Sequence, residues 1–519
     1  MSEVAEAPAN PSGKVAHHGL ITLSIMLATI MQALDTTIAN VALPHMAGSL
    51  SASQDQIAWV LTSYIVAAAI ATPLTGWLTG QFGRKRIFMI SVVGFTAASA
   101  LCGIAGSLFQ IVMARLLQGL FGAALVPLSQ AVMLDINPKE RHGQAMAIWG
   151  MGVMVGPILG PTLGGWLTDN LSWRWVFFIN LPVGIFCFYG IYTYIKETVI
   201  KSSQFDFMGF VTLSLSIGML QLMLDRGEQL DWFNSIEICI EGIGALVAFA
   251  YFLAHTFTKG KGSFFNMQLL KDRNYATGLI FMFVVGLILY ATRALLPPLL
   301  QTLMGYPVVT TGLVTGPSGI GTMLAMMIAG KLVNRIDPRA LIACGFGLMA
   351  FSLWQMSGYN LDMGEGPIVW PGFFQGMGLG FVTVPLTTIA FSTLNPVLRP
   401  DGTSIFSLSR NIGSSIGISV MQTLLTRNTS IAHAALVGNI SLYNPMVQAP
   451  YAPPIYDLHS YAGLSAINAE VTRQASLIAY LDDFKFMMLA TIVTTPLLLL
   501  MRRKTSQGKS AEPEVAVLE

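Results

Sequence analysis

Runs of about twenty apolar residues recur fourteen times along this chain, and each is long enough to cross the ~30 Å hydrocarbon core of a bilayer as a helix. They lie near 20–43, 57–79, 87–106, 109–133, 145–168, 176–195, 207–224, 236–257, 275–300, 309–331, 340–358, 367–391, 403–426 and 482–501. Only 10% of the 519 residues are charged and 53% are hydrophobic, with a mean hydropathy of +0.63. Soluble domains carry about 25% charged residues, so the expected class is an all-α polytopic membrane protein. A net charge of +2 is too small to suggest a nucleic-acid partner. Cys102, Cys187, Cys239 and Cys344 stand singly in apolar runs, which reads as buried thiols rather than disulfides or metal ligands. The first apolar run is too long for a signal-peptide core and reads as the first span.

Lysine and arginine set the expected orientation. With both termini inside, the tails and inner loops hold twenty of them, among them Lys14, Arg84–Arg86, Lys139, Arg141, Arg399 and Arg502–Lys504. The outer loops hold four, at Arg174, Arg226, Arg427 and Arg473. The expected organisation is a tail 1–19, a six-helix bundle 20–195, two additional spans 196–274, a second six-helix bundle 275–501, and a tail 502–519. The second bundle carries a long outer loop, 428–481, whose end, 462–481, reads as an amphipathic helix lying at the surface.

Glycines at 152, 156, 160 and 164 recur every fourth residue inside an apolar run. On a helix they share one side and leave a groove for a neighbouring backbone. Pro157 and Pro161 beside them remove amide donors and make the span kinkable. The pattern Gly-x-x-x-Gly-Pro returns at Gly312–Pro317. The two helices are therefore expected to face each other across an interface. Longer stretches also repeat. Gly76–Lys85 lines up with Gly330–Arg339, Leu117-Gln118-Gly119 with Phe374-Gln375-Gly376, and Arg141 with Arg399. Two six-span halves in the same orientation mark secondary transporters.

Several of these segments resemble, in order and spacing, the motifs of the major facilitator superfamily, and within it the fourteen-span drug:proton antiporters of the EmrB type. Leu34–Pro44 is similar to the family's first-span motif and Gly76–Arg86 to its inner-loop motif. Arg115–Gly119 is similar to the fourth-span motif, Gly152–Gly165 to the antiporter motif, and Trp173–Pro182 to the start of span six. The resemblance implies two six-helix bundles plus two central spans, a hinge at Gly152, Gly156, Pro157, Gly160, Pro161 and Gly164, and a cytoplasmic gate at Gly76, Gly83 and Arg84. It also implies a periplasmic adaptor protein and an outer-membrane channel as partners. Gly80 stands where the inner-loop motif usually has Asp, which puts the charge relay to Arg84 in doubt.

No Gly-x-x-x-x-Gly-Lys-Ser/Thr loop is present, so the expected driving force is an ion gradient, with no cofactor. Ionisable groups inside a membrane are rare and usually functional. Asp35 falls roughly 8 Å, and Arg115 about 9 Å, from the outer edge of the core, at about 1.5 Å per residue. They are the expected proton-coupling pair, with a permanent structural ion pair as the other reading. Gln32, Asn40, Tyr64, Gln118, Tyr290, Gln375, Arg410 and Asn411 are the candidate polar groups of a substrate cavity between the halves, each otherwise an interhelical hydrogen bond. Arg410 either lines that cavity or pairs with a backbone carbonyl. Arg293 and Lys485 fall near outer span ends, where snorkelling satisfies them.

The function expected is proton-coupled export of lipophilic drugs or toxic compounds across a bacterial inner membrane by alternating access. The alternative within transport is export of one physiological metabolite or fatty acid. An integral-membrane enzyme would need clustered His, Asp or Cys, and the sequence places none together.

Overall fold

The computed structural model describes residues 17–197, 204–260, 263–395, 398–440, 456 and 460–500. The expected tails lie almost wholly outside them. Every element among the described residues is a helix, as lipid requires of a chain that must satisfy its own backbone hydrogen bonds. The first half contains α1 (His18–Leu50), α2 (Gln54–Ala71), α3 (Leu74–Phe82), α4 (Arg84–Ile104), α5 (Leu108–Gly122), α6 (Leu125–Asp135), α7 (His142–Asn170), α8 (Trp175–Phe178) and α9 (Asn180–Tyr194). The additional pair is α10 (Phe207–Arg226) and α11 (Ile236–Lys259), followed by the short α12 (Gln268–Lys271). The second half contains α13 (Arg273–Pro298), α14 (Val308–Thr315), α15 (Pro317–Leu332), α16 (Pro338–Met356), α17 (Gly366–Ser392), α18 (Arg399–Val437) and α19 (Tyr461–Thr494).

Among the described residues eleven stretches are long and apolar enough to cross a membrane, or twelve if α2 and α3, bent by 55° at their junction, make one span. The bend falls at Thr72-Pro73, where proline removes a helical amide donor. The two other expected spans lie in α18 and α19, which are more polar and are not among the twelve. Exposed Ile90, Val93, Ile185, Phe186, Ile243 and Leu246 mark the outer, lipid-facing surface.

The expected outer loop 428–481 is corrected. α18 continues to Val437 and α19 runs unbroken from Tyr461, so 428–437 and 461–481 are helical extensions of the last two spans. The stretch 462–481 is continuous with the final span, not a separate surface helix. No Gly or Pro occurs between Gly417 and Gly438, or between Gly463 and Pro496, so nothing stops either helix at the membrane edge.

The glycine-rich helix does face the helices that carry Gly312–Pro317, as expected, but its periodic glycines are not the residues that make this contact. α7 is one continuous helix with both prolines inside it. Its four periodic glycines face α1 of the same half, not Gly312. A Cβ on Gly156 would lie 2.5 Å from the Ala33 carbonyl carbon, and Cβ atoms on Gly152, Gly160 and Gly164 would meet Met26, Thr37 and Ile38. Thr37 Oγ1 donates to the Gly156 carbonyl at 3.1 Å across this seam. A different face of α7 meets the second half. There Gly319 packs on Ile158, Gly330 on Ala147, and Gly312 lies 3.6 Å from Pro161.

The two halves thus meet chiefly through α7 against α15, and through α6 and α3 against α18. The pair α10/α11 packs on α2 and α18, to the side of the seam. Replacing Gly156 by Leu is expected to destabilise the protein by about 1–3 kcal/mol, the usual cost of overpacking. Gly165→Ala, at a site with nothing within 4 Å, should be neutral; equal melting temperatures for the two purified variants would contradict the seam assigned here.

Candidate functional site

Inside the first half, three helices meet at one carboxylate. Asp35 sits at mid-α1 with 2% of its surface exposed. Its Oδ2 accepts from Arg115 Nη1 of α5 at 2.6 Å. Its Oδ1 accepts from Gln118 Nε2 at 2.7 Å and from Asn180 Nδ2 of α9 at 3.0 Å. Three donors meet the charge, which is what a buried ion demands.

A second layer holds the donors in place. Arg115 Nε donates to the Val60 carbonyl at 3.0 Å, its Nη1 also reaches Gln118 Oε1 at 2.8 Å, and its guanidinium lies 4.3 Å from the centre of the Tyr64 ring. Asn180 also donates to Ser99 Oγ at 3.0 Å, and Ser99 to the Phe177 carbonyl at 2.8 Å. Tyr64 accepts from Gln32 Nε2 at 3.3 Å.

The structure therefore separates the residues assigned to a substrate cavity. Gln32, Tyr64 and Gln118 belong to the network around Asp35, because the buried charge recruits every neighbouring dipole. Asn40 is exposed. Gln375 is buried in the second half at 4% exposure, beside the glycine of α17 that packs on Ser318. Asn411 accepts at its carbonyl from Ser415, whose hydroxyl also reaches Gln221 of α10 at 2.8 Å.

Tyr290 and Arg410 do line a pocket between the halves, a small space of about 50 Å³ walled by Trp149, Met154, Met282 and Met326. Arg410 Nε is buried there with no hydrogen-bond partner. Arg293 reaches the same wall, its Nη2 lying 3.8 Å from Met154 Sδ. It does not snorkel to an outer edge as its position suggested. The seam pocket is thus apolar and approached by two arginines.

At the end that carries the basic loops, a second ionic cluster ties the halves. Asp135, at the end of α6, pairs with Arg84 of α4 and, through Oδ1 at 2.6 Å, with Arg399 of α18. With glycine at position 80, the carboxylate beside Arg84 is that of Asp135. Gly83 has φ +88°, which favours glycine, and the Glu197 carboxylate fills the space a side chain would take. Glu197 accepts from the amides of Lys85 at 3.0 Å and Arg86 at 3.3 Å. Gly76 lies directly against the Asp401 carboxylate of α18, leaving no room for a Cβ.

Sequence reasoning missed Asn180, Ser99, Asp135 and Asp401. Asn180 stood inside the motif segment Trp173–Pro182 and Asp135 at a span end, but neither drew attention, because a neutral amide or a span-end acid is commonplace.

Removing one member of the inner pair is expected to cost more than removing both. Arg115→Ala should destabilise the protein by about 3–5 kcal/mol by leaving a buried charge unpaired. Asp35→Asn combined with Arg115→Gln should recover most of that loss, measured by thermal unfolding in one membrane mimetic. At the other cluster, Arg399→Gln should shift the equilibrium toward opening at the basic end, read as faster thiol labelling of a cysteine placed at Gly330. Unchanged labelling would exclude a closing role for the Asp135 bridge.

The comparisons agree with this architecture. The family model described as Major Facilitator Superfamily matches residues 25–418. The chain is 36% identical over 509 residues to a protein named fatty acid resistance protein FarB of Neisseria gonorrhoeae, covering 96% of this chain and 99% of that one. It is 37% identical over 436 residues to multidrug export protein EmrB of Escherichia coli K12, covering 83% and 85%. Among solved structures, the proton:xylose symporter XylE aligns with a TM-score of 0.60 at 14% identity, covering 94% of this chain and 100% of that one. The human organic anion transporter MFSD10 aligns with a TM-score of 0.58 at 13% identity, covering 91% and 99%. A multi-pass helical chain in two repeated halves, matched along most of its length by these relatives, belongs to the Major Facilitator Superfamily, among the EmrB-type permeases, and is a transporter rather than an enzyme.

Proposed function

We propose that this chain is a proton-coupled antiporter that exports lipophilic compounds across a bacterial inner membrane by alternating access, with both termini cytoplasmic. The observation that carries the reading is the position of Asp35. The residues that α7 touches through its glycines, Ala33 and Thr37, flank Asp35 on α1, whereas Arg115 and Gln118 are on α5 and Asn180 on α9. Tilting of α7 against α5 and α9 within the first half is therefore passed through α1 to the carboxylate and shifts it relative to its donors. Proton uptake by Asp35 abolishes the charge that holds Arg115, and loosening of that pair lets the halves change their tilt. Arg115 stays charged throughout and acts as the counter-ion.

The substrate class follows from the seam. Two arginines beside an apolar, methionine-rich pocket favour neutral or weakly acidic lipophilic compounds, with the methionines adapting to varied shapes. The names of the relatives, fatty acid resistance and multidrug export, support the same range, including the alternative of one physiological fatty acid as substrate. α18 spans 39 residues, about 58 Å against a hydrocarbon core of about 30 Å. With α19 it forms a hairpin beyond the membrane, joined by His433 and Asn468 at 3.1 Å. An adaptor protein leading to an outer-membrane channel would meet the permease at this projection.

Proteoliposomes with an imposed pH gradient test the coupling. The native chain should carry a lipophilic weak acid uphill, and Asp35→Asn should abolish the response to the gradient while leaving substrate binding within about threefold, because the uncharged amide removes the proton site and keeps the shape. Gradient-driven accumulation by Asp35→Asn would assign the proton to another residue.

A further inference from the structure

A second, larger cavity lies away from the central seam, between the additional pair and the second half. It holds about 850 Å³ and is walled by α10, α11, the segment 264–267 and α18. Along α11 its lining runs from Cys239 to Thr256, seventeen residues or about 25 Å at 1.5 Å per residue. Leu213, Ile217, Phe252, Ile405 and Leu408 make the walls apolar for most of that length. The volume lies within the ~300–1,000 Å³ of sites for a single drug-sized molecule. The shape is long, and it suits one extended chain.

Only the end toward the basic loops is polar. Thr256, 1% exposed, has a buried hydroxyl without a hydrogen-bond partner. Asp401 in the first turn of α18 and Asn266 line the same end. The Asp401 carboxylate is pressed on the bare Cα of Gly76, and no cation pairs with it among the described residues. Lys271, five residues beyond Asn266, is exposed, and three other cations near these groups in sequence are engaged elsewhere. Lys259 and His255 both bond Asp206 Oδ1, at 2.8 and 2.9 Å, and Arg399 bonds Asp135. Asn266 Oδ1 already accepts from the Gln268 amide at 3.0 Å, which leaves a carboxylate and an orphan hydroxyl at the mouth of an apolar slot as acceptors for a donor that carries positive charge.

We propose that this lateral cleft is a binding site for a single-chain alkylammonium ion, its N–H groups on Asp401 and Thr256 and its chain along α11 and α18. The charge complementarity is opposite to that of the central seam, with its Arg293 and Arg410. The cleft therefore extends the range of ligands beyond the weak acids of the reading above, and it stands whether or not that reading holds. Because Asp401 also touches α3 at Gly76, an occupant of the cleft meets the helix that closes the basic end.

The test is equilibrium binding of dodecylammonium to the full-length protein in phosphatidylcholine nanodiscs, with empty discs subtracted, and with dodecanol and dodecanoate as equal-length controls. Saturable binding of dodecylammonium is expected. It should weaken about tenfold, a loss equivalent to one good charge-assisted contact, in Asp401→Asn, and likewise in Leu408→Trp, which fills the slot from α18 about two turns beyond Asp401. A photoreactive alkylamine should label α11 and α18, an observation that does not depend on either variant folding well. Three results would overturn the proposal: dodecanol binding as tightly as dodecylammonium, labelling confined to the central seam, or displacement by phosphatidylethanolamine at membrane abundance, which would make the cleft a site for bilayer lipid.

Discussion

A carboxylate buried among helices in lipid is tolerated only when donors surround it, and the first half is built around that requirement at Asp35. Arg115, Gln118 and Asn180 come from two other helices, and each is held further, Arg115 by Val60 and Tyr64, Gln118 by Arg115 and Cys102, and Asn180 by Ser99. Five helices, α1, α2, α4, α5 and α9, are thereby locked in register by a single charge. The apolar contacts between them are interchangeable in lipid, where helix association has little hydrophobic driving force. The polar network is what distinguishes the native arrangement from other packings of the same apolar faces.

That network is connected to the rest of the molecule through backbone, not side chains. At Gly156 and Gly160 the α7 main chain approaches α1 so closely that Ala33 and Thr37 touch it. One face of α7 is therefore committed to the first half, while the opposite region, near Gly150, Ile158 and Pro161, lies on α14 and α15. A helix gripped on one side by glycine contacts and on the other by flexible methionine and isoleucine side chains moves with its own half and slides on its neighbour. The asymmetry of the two faces ties α7 more firmly to the first half than to the second. The Asp135 bridge joins the two bundles at the basic end.

Much of this was legible in the sequence, for physical reasons that also explain what was not. Spans are legible because lipid demands about twenty apolar residues, but their ends are not, since α18 and α19 continue into water wherever no glycine or proline stops them. Asp35 and Arg115 stood out because charges in apolar runs are rare. Asn180 and Ser99 did not, because neutral polar residues are common there and their partners are distant in sequence. A glycine every fourth residue announces that a backbone comes near, without saying whose; the repeated pattern pointed to the Gly312 helix, and the backbone found there is that of α1. At the basic end, Gly80 signalled that an expected acid was missing, but that Asp135 serves Arg84, and that Asp401 presses on Gly76 from the other half, depends on contacts across more than fifty residues of chain.

Opposite charges on the two cavities have a consequence for how such a permease treats amphiphiles. In the central pocket the arginines are approached only from the seam, so a ligand there is sampled when the halves part. The lateral cleft is bounded by α10 and α11, which contact the first half mainly through α2 and the second mainly through α18. It therefore bridges both halves without lying between their moving faces. A chain lodged in it joins α11 to α18 at the same level as the Asp401–Gly76 contact and the Arg399–Asp135 pair. An ammonium ion on Asp401 would sit beside the close approach of α3 at Gly76. The additional pair of helices thus does more than add mass to the bundle: it supplies the wall that gives a charge at the gate an apolar compartment of its own.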